Sequence, residues 1–274
     1  MKGAPMTTAG AARPTLVVDA ARPTEVRADD LHTRILRCTL AADDAQIYWS
    51  HFDPAEAPAH RNLRAFEERW FGGRSQARVK LLLANLSARF DAHPSAIAEL
   101  RAWRGMTPAT RRIVCHWHLQ FVDPLYRRFT AELLPDRRGG ARDTIDRDIV
   151  SRWVEAQAPD RWSPSTRAAF GTKLLGTAVE AGLVQARGTS RVLASPRVED
   201  DALAYLLRWL GTVRFTGTLV DNPYFASVGL TGRAVDERLS GLPNLLFRRS
   251  GDVVELEWHG RGVAPDAALE TRAP

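Results

Sequence analysis

Residues 143–198 constrain the fold more than any other stretch of this chain. Ile145, Ile149 and Trp153 recur at helical spacing, and Ala158-Pro159-Asp160-Arg161-Trp162 then turns the chain. Ser163-Pro164 opens a second helix. The serine hydroxyl can accept from an unpaired backbone N–H, and proline suits the first helical position, where its missing N–H costs nothing. Phe170, Leu174, Leu175 and Ala178 define an inward face. Gly182 supplies the positive φ that a helix exit favours. Leu183-Val184-Gln185-Ala186, a turn at Arg187-Gly188-Thr189-Ser190, and Arg191-Val192-Leu193 read as a hairpin. Helix, turn, helix and basic-tipped hairpin is the order of a winged helix. The outward face of its second helix is predicted to carry Ser165, Thr166, Ala169, Thr172, Lys173 and Thr177. A small polar face of this kind fits a major groove, and it equally fits close packing against another helix or a partner protein.

The remaining pattern predicts a mainly α protein. An N-terminal helical bundle precedes the winged-helix region, and a C-terminal helix plus β-hairpin follows. In the bundle, 42–52, 63–71, 75–92, 94–103 and 108–121 read as helices, and Val79, Leu82, Leu83, Leu86 and Phe90 form the clearest apolar stripe. Pro124 breaks the last of these, and 125–134 continues. Residues 135–142 read as a basic, Gly-rich loop. Further on, 200–210 and 231–239 read as helices around a polar loop at 216–224. Tyr205 and Trp209 are placed at the rim of the first. Val254, Leu256 and Trp258 alternate with Val253, Glu255 and Glu257 in the closing hairpin. The expected organisation is a disordered tail at 1–30, a basic bundle at 31–138, the winged-helix segment at 139–198, helices and hairpin at 199–259, and a disordered tail at 260–274. A short strand at Leu16-Val17-Val18 is the exception within the first tail.

Charge is unevenly spread. Residues 61–142 hold 16 basic and 7 acidic side chains, against 8 and 6 in 143–198, within a chain of net charge +6. Such a surface suits a polyanionic partner. All but three of the 38 cations are arginines, whose fork matches phosphate. GC-rich coding also yields arginine, so the clustering carries the argument. Arg74, Arg78 and Lys80 flank the apolar stripe, Arg111-Arg112 and Arg127-Arg128 follow, and Arg137-Arg138 closes the bundle. Thr166, Arg167 and Lys173 lie on the second helix of the winged-helix segment, with Arg187 and Arg191 on its hairpin. These are the candidate DNA contacts, with solvated helix faces paired at i,i+4 as the alternative. Trp103, Trp117 and Tyr126, interleaved among them, are expected in the core.

Catalytic and metal patterns are weak. Cys115 and His118 share a helical face beside His116, yet a structural zinc site needs four ligands and no second pair stands at suitable spacing. Packed histidines are the expectation. Glu255 and Glu257 read as a solvated strand face with Asp252 in its turn, and Asp143, Asp146 and Asp148 as helix-start residues. Neither a phosphate-binding loop nor a dinucleotide fingerprint occurs; Gly229-Leu230-Thr231-Gly232-Arg233 lacks the preceding strand. No catalytic residue, metal or cofactor is expected. Two isolated cysteines, no apolar run long enough to span a bilayer and no signal-like start predict a soluble cytoplasmic protein without membrane contact.

Three stretches together resemble the BrxA family of BREX phage-defence systems. They are Trp162-Ser163-Pro164-Ser165-Thr166 leading to Gly171-Thr172-Lys173-Leu174-Leu175-Gly176, the exit Glu180-Ala181-Gly182-Leu183-Val184, and the hairpin from Leu245-Leu246-Phe247-Arg248-Arg249 to Val253-Val254-Glu255-Leu256. The resemblance runs from about Arg34 to Trp258. It implies a bacterial, mainly helical, non-enzymatic protein that binds double-stranded DNA, with other BREX proteins as partners. It carries over no active-site residue, and the arginine richness and long ends depart from the family pattern. Two other readings stay open: an assembly subunit that docks defence proteins through the winged helix and hairpin, and an RNA-binding helical protein.

Overall fold

A computed structural model of the protein describes residues 22–138, 143–187, 190–251 and 253–259. The Leu16-Val17-Val18 strand, the loop at 139–142, the hairpin tip Gly188-Thr189, Asp252 and the tail at 260–274 lie outside the described residues. The protein is mainly helical, with two antiparallel hairpins.

One helix is buried around its whole circumference and organises the others. Helix α1 spans Ala42–His51, α2 Pro58–Glu67, α3 Gln76–Phe90, α4 Pro94–Ala102 and α5 Pro108–Val122. Every residue of α5 from Ile113 to Phe121 is buried. Thr107 caps its start by accepting from the Thr110 amide at 3.1 Å. Its buried polar side chains need partners, since an unpaired buried polar group costs on the order of 1–3 kcal/mol. Each finds one outside α5. His116 hydrogen-bonds the Tyr126 hydroxyl and Ser227 Oγ, both at 2.9 Å. Trp117 Nε1 donates to the Tyr224 carbonyl at 3.1 Å. His118 Nε2 meets the Tyr205 hydroxyl at 2.6 Å, and Gln120 Nε2 donates to Thr130 Oγ1 at 2.9 Å. The Cys115-His116-His118 cluster is thus packed interior. Around α5, the predicted stripe of α3 is buried against it and α1.

Pro124 ends α5. Asp123 adopts extended geometry before it and accepts from the Tyr126 amide at 2.9 Å, which caps α6, Pro124–Arg128. A π turn over Phe129–Leu133 leads into α7, Leu134–Arg138. The predicted loop at 135–142 is therefore helical as far as Arg138. The π turn loosens the backbone ladder just before Pro135, which has no N–H to contribute to it.

Residues 143–198 keep the predicted order of helix, helix and hairpin, but Ile145, read as part of the first helix, lies in the extended stretch before it, where the hairpin claims its amide. Helix α8 spans Arg147–Gln157, capped by Asp146, and α9 spans Pro164–Glu180, where Ser163 Oγ accepts from the Thr166 amide at 3.3 Å. The two helices approach closely at Gly171, where a Cβ would stand 2.8 Å from the Arg147 carbonyl oxygen. Gly182 follows α9 with φ +79°. Strands β1, Val184–Arg187, and β2, Ser190–Leu193, pair Val184 with Leu193 and Arg187 with Ser190. Extended residues ahead of α8 add to β2: Thr144 bridges Val192, and the Ile145 amide donates to the Arg191 carbonyl at 3.0 Å.

Helix α10, Asp200–Leu210, packs on α5. Tyr205 and Trp209 are buried, not at a rim, because α5 brings His118 onto the Trp209 ring at 4.0 Å between centroids. The predicted polar loop at 216–224 gives way at its end to α11, Pro223–Ser227, capped by Asn222. Helix α12, Arg233–Ser240, precedes strands β3, Leu245–Ser250, and β4, Val253–Trp258. In β4, Val254 and Leu256 are buried while Val253, Glu255 and Glu257 are exposed, as the alternation predicts.

The first tail is anchored at its end. Thr24 bridges Arg214, and the Val26 amide donates to the Phe121 carbonyl at 3.0 Å. Glu25 is buried, and its carboxylate accepts from the Thr216 amide at 2.8 Å and the Tyr224 hydroxyl at 2.6 Å. Its cation is Arg127, at 3.5 Å. Arg127 also donates to the Gln120 carbonyl at 2.7 Å and the Val26 carbonyl at 2.6 Å. Sequence placed Glu25 in a tail and Arg127 on a DNA-facing surface; each is inside because the other neutralises it.

Two predictions follow from this interior. Arg127→Met strands a buried carboxylate and two carbonyls, and should cost about 3–5 kcal/mol by urea unfolding; a loss under 1 kcal/mol overturns the assignment. The second concerns acid. Burial lowers the His93 pKa to about 4 and that of His116 to about 3, and takes His118 well below the ordinary range. Unfolded imidazoles titrate near ~6.5, so below that pH the unfolded state binds more protons. Stability is then full above about pH 6.5 and declines as pH falls, by up to ~1.4 kcal/mol per pH unit for each imidazole. Burial raises the carboxyls of Asp123 and Glu180, which opposes the decline at lower pH. The urea midpoint should drop between about pH 7 and pH 5, and His116→Gln should flatten the drop. A midpoint that holds or rises on acidification contradicts this reading.

Candidate nucleic-acid interface

Helix α9 presents one open face. Ser165, Ala169, Thr172, Lys173, Gly176 and Val179 are exposed, and their spacing collects them into a single arc. Lys173 is the only charge on it. Thr177, predicted on this face, is fully buried, and its hydroxyl donates back to the Lys173 carbonyl at 2.7 Å. Thr166 is half-buried, 3.0 Å from Ser163 Oγ at the cap. Arg167 is half-buried too. It pairs with Glu155 of α8 and donates to the Trp162 carbonyl at 2.7 Å, so it braces the turn between the helices.

The β1–β2 hairpin places Arg187 and Arg191 in solvent. Arg187 stands opposite Ser190 and Arg191 opposite Ala186. Residues directly opposite share a face and successive residues alternate, so the two guanidiniums leave from opposite faces of the hairpin.

The bundle cations divide into three groups. Arg78, Lys80 and Arg112 are exposed without an acidic partner among the described residues. Arg74 pairs with Asp44 at 2.8 Å, and Arg111 pairs with Asp43 at 2.9 Å and hydrogen-bonds Gln46. Arg127 is interior, and Arg128 is half-buried, donating to Gln157 Oε1 at 3.0 Å and to the Ala28 carbonyl. Arg137 and Arg138, in the same series, donate to the Thr144 carbonyl at 2.7 Å and the Ala194 carbonyl at 2.8 Å. Periodicity placed all nine alike, because cations look identical in sequence whether they meet water or a carbonyl. Two further exposed cations, outside the sequence candidates, lie on a turn that meets α9. Arg34 and Arg37 bracket a 3-10 turn, Arg34–Leu36, that packs on α9. Their three-residue spacing was the signal: residues i and i+3 eclipse in such a turn, while Ile35 between them is buried.

A second concavity lies between α1 and α2. It is an open hollow of about 720 Å³ lined in part by His51, Glu56, His60, Arg64 and Arg101. Its carboxylate is engaged: Glu56 accepts from Arg64 at 2.8 and 2.7 Å and meets His60 Nδ1 at 2.7 Å. These bonds hold its pKa down to about 2, which makes it a poor proton acceptor near neutrality. Cys115 is sealed in the core with its thiol pushed up to about 12. Among the described residues no three His, Cys, Asp or Glu side chains converge as a metal site.

No protein-family model and no curated protein matches this chain. A solved structure, the crystal structure of an uncharacterized protein from Magnetospirillum magneticum, is similar in fold. The match has a TM-score of 0.52 at 17% sequence identity and covers 65% of this chain and 92% of that one.

Proposed function

We propose that this protein is a non-enzymatic double-stranded DNA-binding component of a BREX-type phage-defence system, with residues 143–193 acting as a winged helix. The observation that carries the reading is the open face of α9, which is small and capped, with Lys173 as its one exposed charge. The order of parts supports it: an extended residue pair, α8, α9, then a hairpin whose second strand pairs with Thr144. That is the sequence of elements in a winged helix. The BREX assignment rests on the resemblance of the Trp162–Val184 and Leu245–Leu256 stretches to the BrxA family.

In this reading α9 lies in or beside the major groove, which admits a helix. Arg187 and Arg191 reach the phosphate backbone, and the exposed cations Arg78, Lys80 and Arg112 extend the field. Phosphate contacts position a protein without reading sequence. Few outward side chains on α9 can address base edges, so preference among sequences should be weak. Affinity should fall steeply with salt through counterion release.

A second reading, an assembly subunit docking other defence proteins, is favoured by one observation. Val179 on α9 and Val253 at the closing hairpin are 37% and 54% exposed.

The test is a titration of the protein with mixed-sequence duplex at two salt concentrations, with structured RNA as competitor. Salt-sensitive binding that RNA does not displace is expected. Lys173→Glu with Arg187→Glu and Arg191→Glu should lower affinity by at least about tenfold on unrelated duplexes alike, with the salt slope reduced by about 2–3. Unchanged binding by this variant removes α9 and the hairpin from the interface. Absence of binding at low salt transfers the assignment to the assembly reading, and displacement by RNA transfers it to RNA binding.

A further inference from the structure

We infer that the chain segment 31–42 forms a second phosphate-contacting wall beside α9, with Arg34 and Arg37 as its contacts and Arg78 extending it. The inference rests on the DNA-binding reading above and identifies contacts that sequence alone did not single out.

Three contacts fix the path of this segment along α9. At the start of the helix, Arg161 Nη2 donates to the Leu31 carbonyl at 2.6 Å. At its end, the Ala42 amide donates to Glu180 Oε1 at 3.3 Å. Between them the 3-10 turn packs on α9 through buried Ile35. A helix of 17 residues is about 25 Å long, so the segment accompanies it from end to end. Which flank it covers follows from helical spacing. Lys173, Thr177 and Glu180 form one i, i+4, i+7 stripe. Glu180 touches the segment and Thr177 is fully buried, so Lys173 emerges at the edge of the open face next to the turn.

The segment is held rigidly. Arg89, itself buried, donates to the Thr39 and Leu40 carbonyls at 2.7 Å and to the Cys38 carbonyl at 3.2 Å. Arg78 Nη1 donates to the Arg37 carbonyl at 3.2 Å, which puts the start of α3 against the turn. Arg34 and Arg37 project together into solvent with no side-chain partner among the described residues. Nearby carboxylates are already engaged: Glu180 by Ala42, Asp44 by Arg74 and Asp43 by Arg111. A helix in a major groove about 12 Å wide has phosphate rows on both sides. In this inference the turn cations and Arg78 serve the row on the Lys173 side, and the hairpin serves the other.

The experiment compares salt dependence across variants of the full chain on one mixed-sequence duplex. Arg34→Gln with Arg37→Gln should reduce the slope of log K against log salt by about 2, at roughly 0.9 per lost phosphate contact. Thermal midpoint should not change, because neither side chain makes a hydrogen bond or ion pair among the described residues. Arg69→Gln with Arg104→Gln, two exposed arginines elsewhere, removes the same charge and should leave the slope intact. An unchanged slope in the turn variant overturns the inference while leaving the DNA-binding reading standing. An equal drop in both variants also overturns it, since net charge alone would then be at work. If the unaltered protein binds no duplex, the DNA-binding reading fails and this wall falls with it.

Discussion

The rest of the structure depends on making α5 habitable inside the protein. The helix buries two histidines, a tryptophan and a glutamine along with its apolar residues. Left unpaired, those polar groups would remove several kcal/mol from a stability that is itself only about 5–15 kcal/mol. They are instead answered by three other parts of the chain: Tyr126 and Thr130 from the next helical stretch, Tyr205 from α10, Tyr224 and Ser227 from α11. Specific donors and acceptors, unlike apolar contacts, accept only one arrangement. The polar side chains of α5 therefore set where the C-terminal helices sit, and the apolar surface around them supplies most of the driving force.

Arginine plays two opposed roles here. Arg89 and Arg127 are buried and spend their donors on backbone carbonyls, Arg89 on the 38–40 connection and Arg127 on Gln120 and Val26. Lysine could not replace them, because a single ammonium cannot reach several carbonyls in a planar fork. Arg34, Arg37, Arg187 and Arg191 are exposed, with no side-chain hydrogen bond or ion pair among the described residues. The two roles are linked in space. Interior arginines pin the 31–42 segment and the stretch around Val26, and the pinned segment carries surface arginines along α9.

Local chemistry made much of this legible from sequence. Thr107-Pro108 and Ser163-Pro164 begin helices where caps and proline say they should. The α3 stripe and the β4 alternation bury the residues their periods select. Errors came where a neighbour in space outweighed a local rule. Thr177 looks like surface on a helical wheel, yet it is fully buried on a helix that the 3-10 turn packs against. Tyr205 and Trp209 looked peripheral, yet α5 supplies a hydroxyl partner for one and a stacking ring for the other. Of the candidate contacts, Lys173, Arg187 and Arg191 are exposed as expected, while Arg127 is interior and Arg111 is held by Asp43.

Sequence by itself determined the helical class, most element starts, the inward faces of α3 and α9, and the order of helix, helix and hairpin between 143 and 193. These depend on interactions within a few residues, where spacing and capping act directly. Tertiary structure alone decided which arginines are free, which flank of α9 stays open, and that a turn from the N-terminal half lies beside it. Each of those depends on a carboxylate, a carbonyl or a buried surface brought in from tens to hundreds of residues away, such as Glu25 meeting Tyr224 or Arg161 meeting Leu31. Such pairings leave no period in the sequence, because the energy that selects them exists only once the chain has folded.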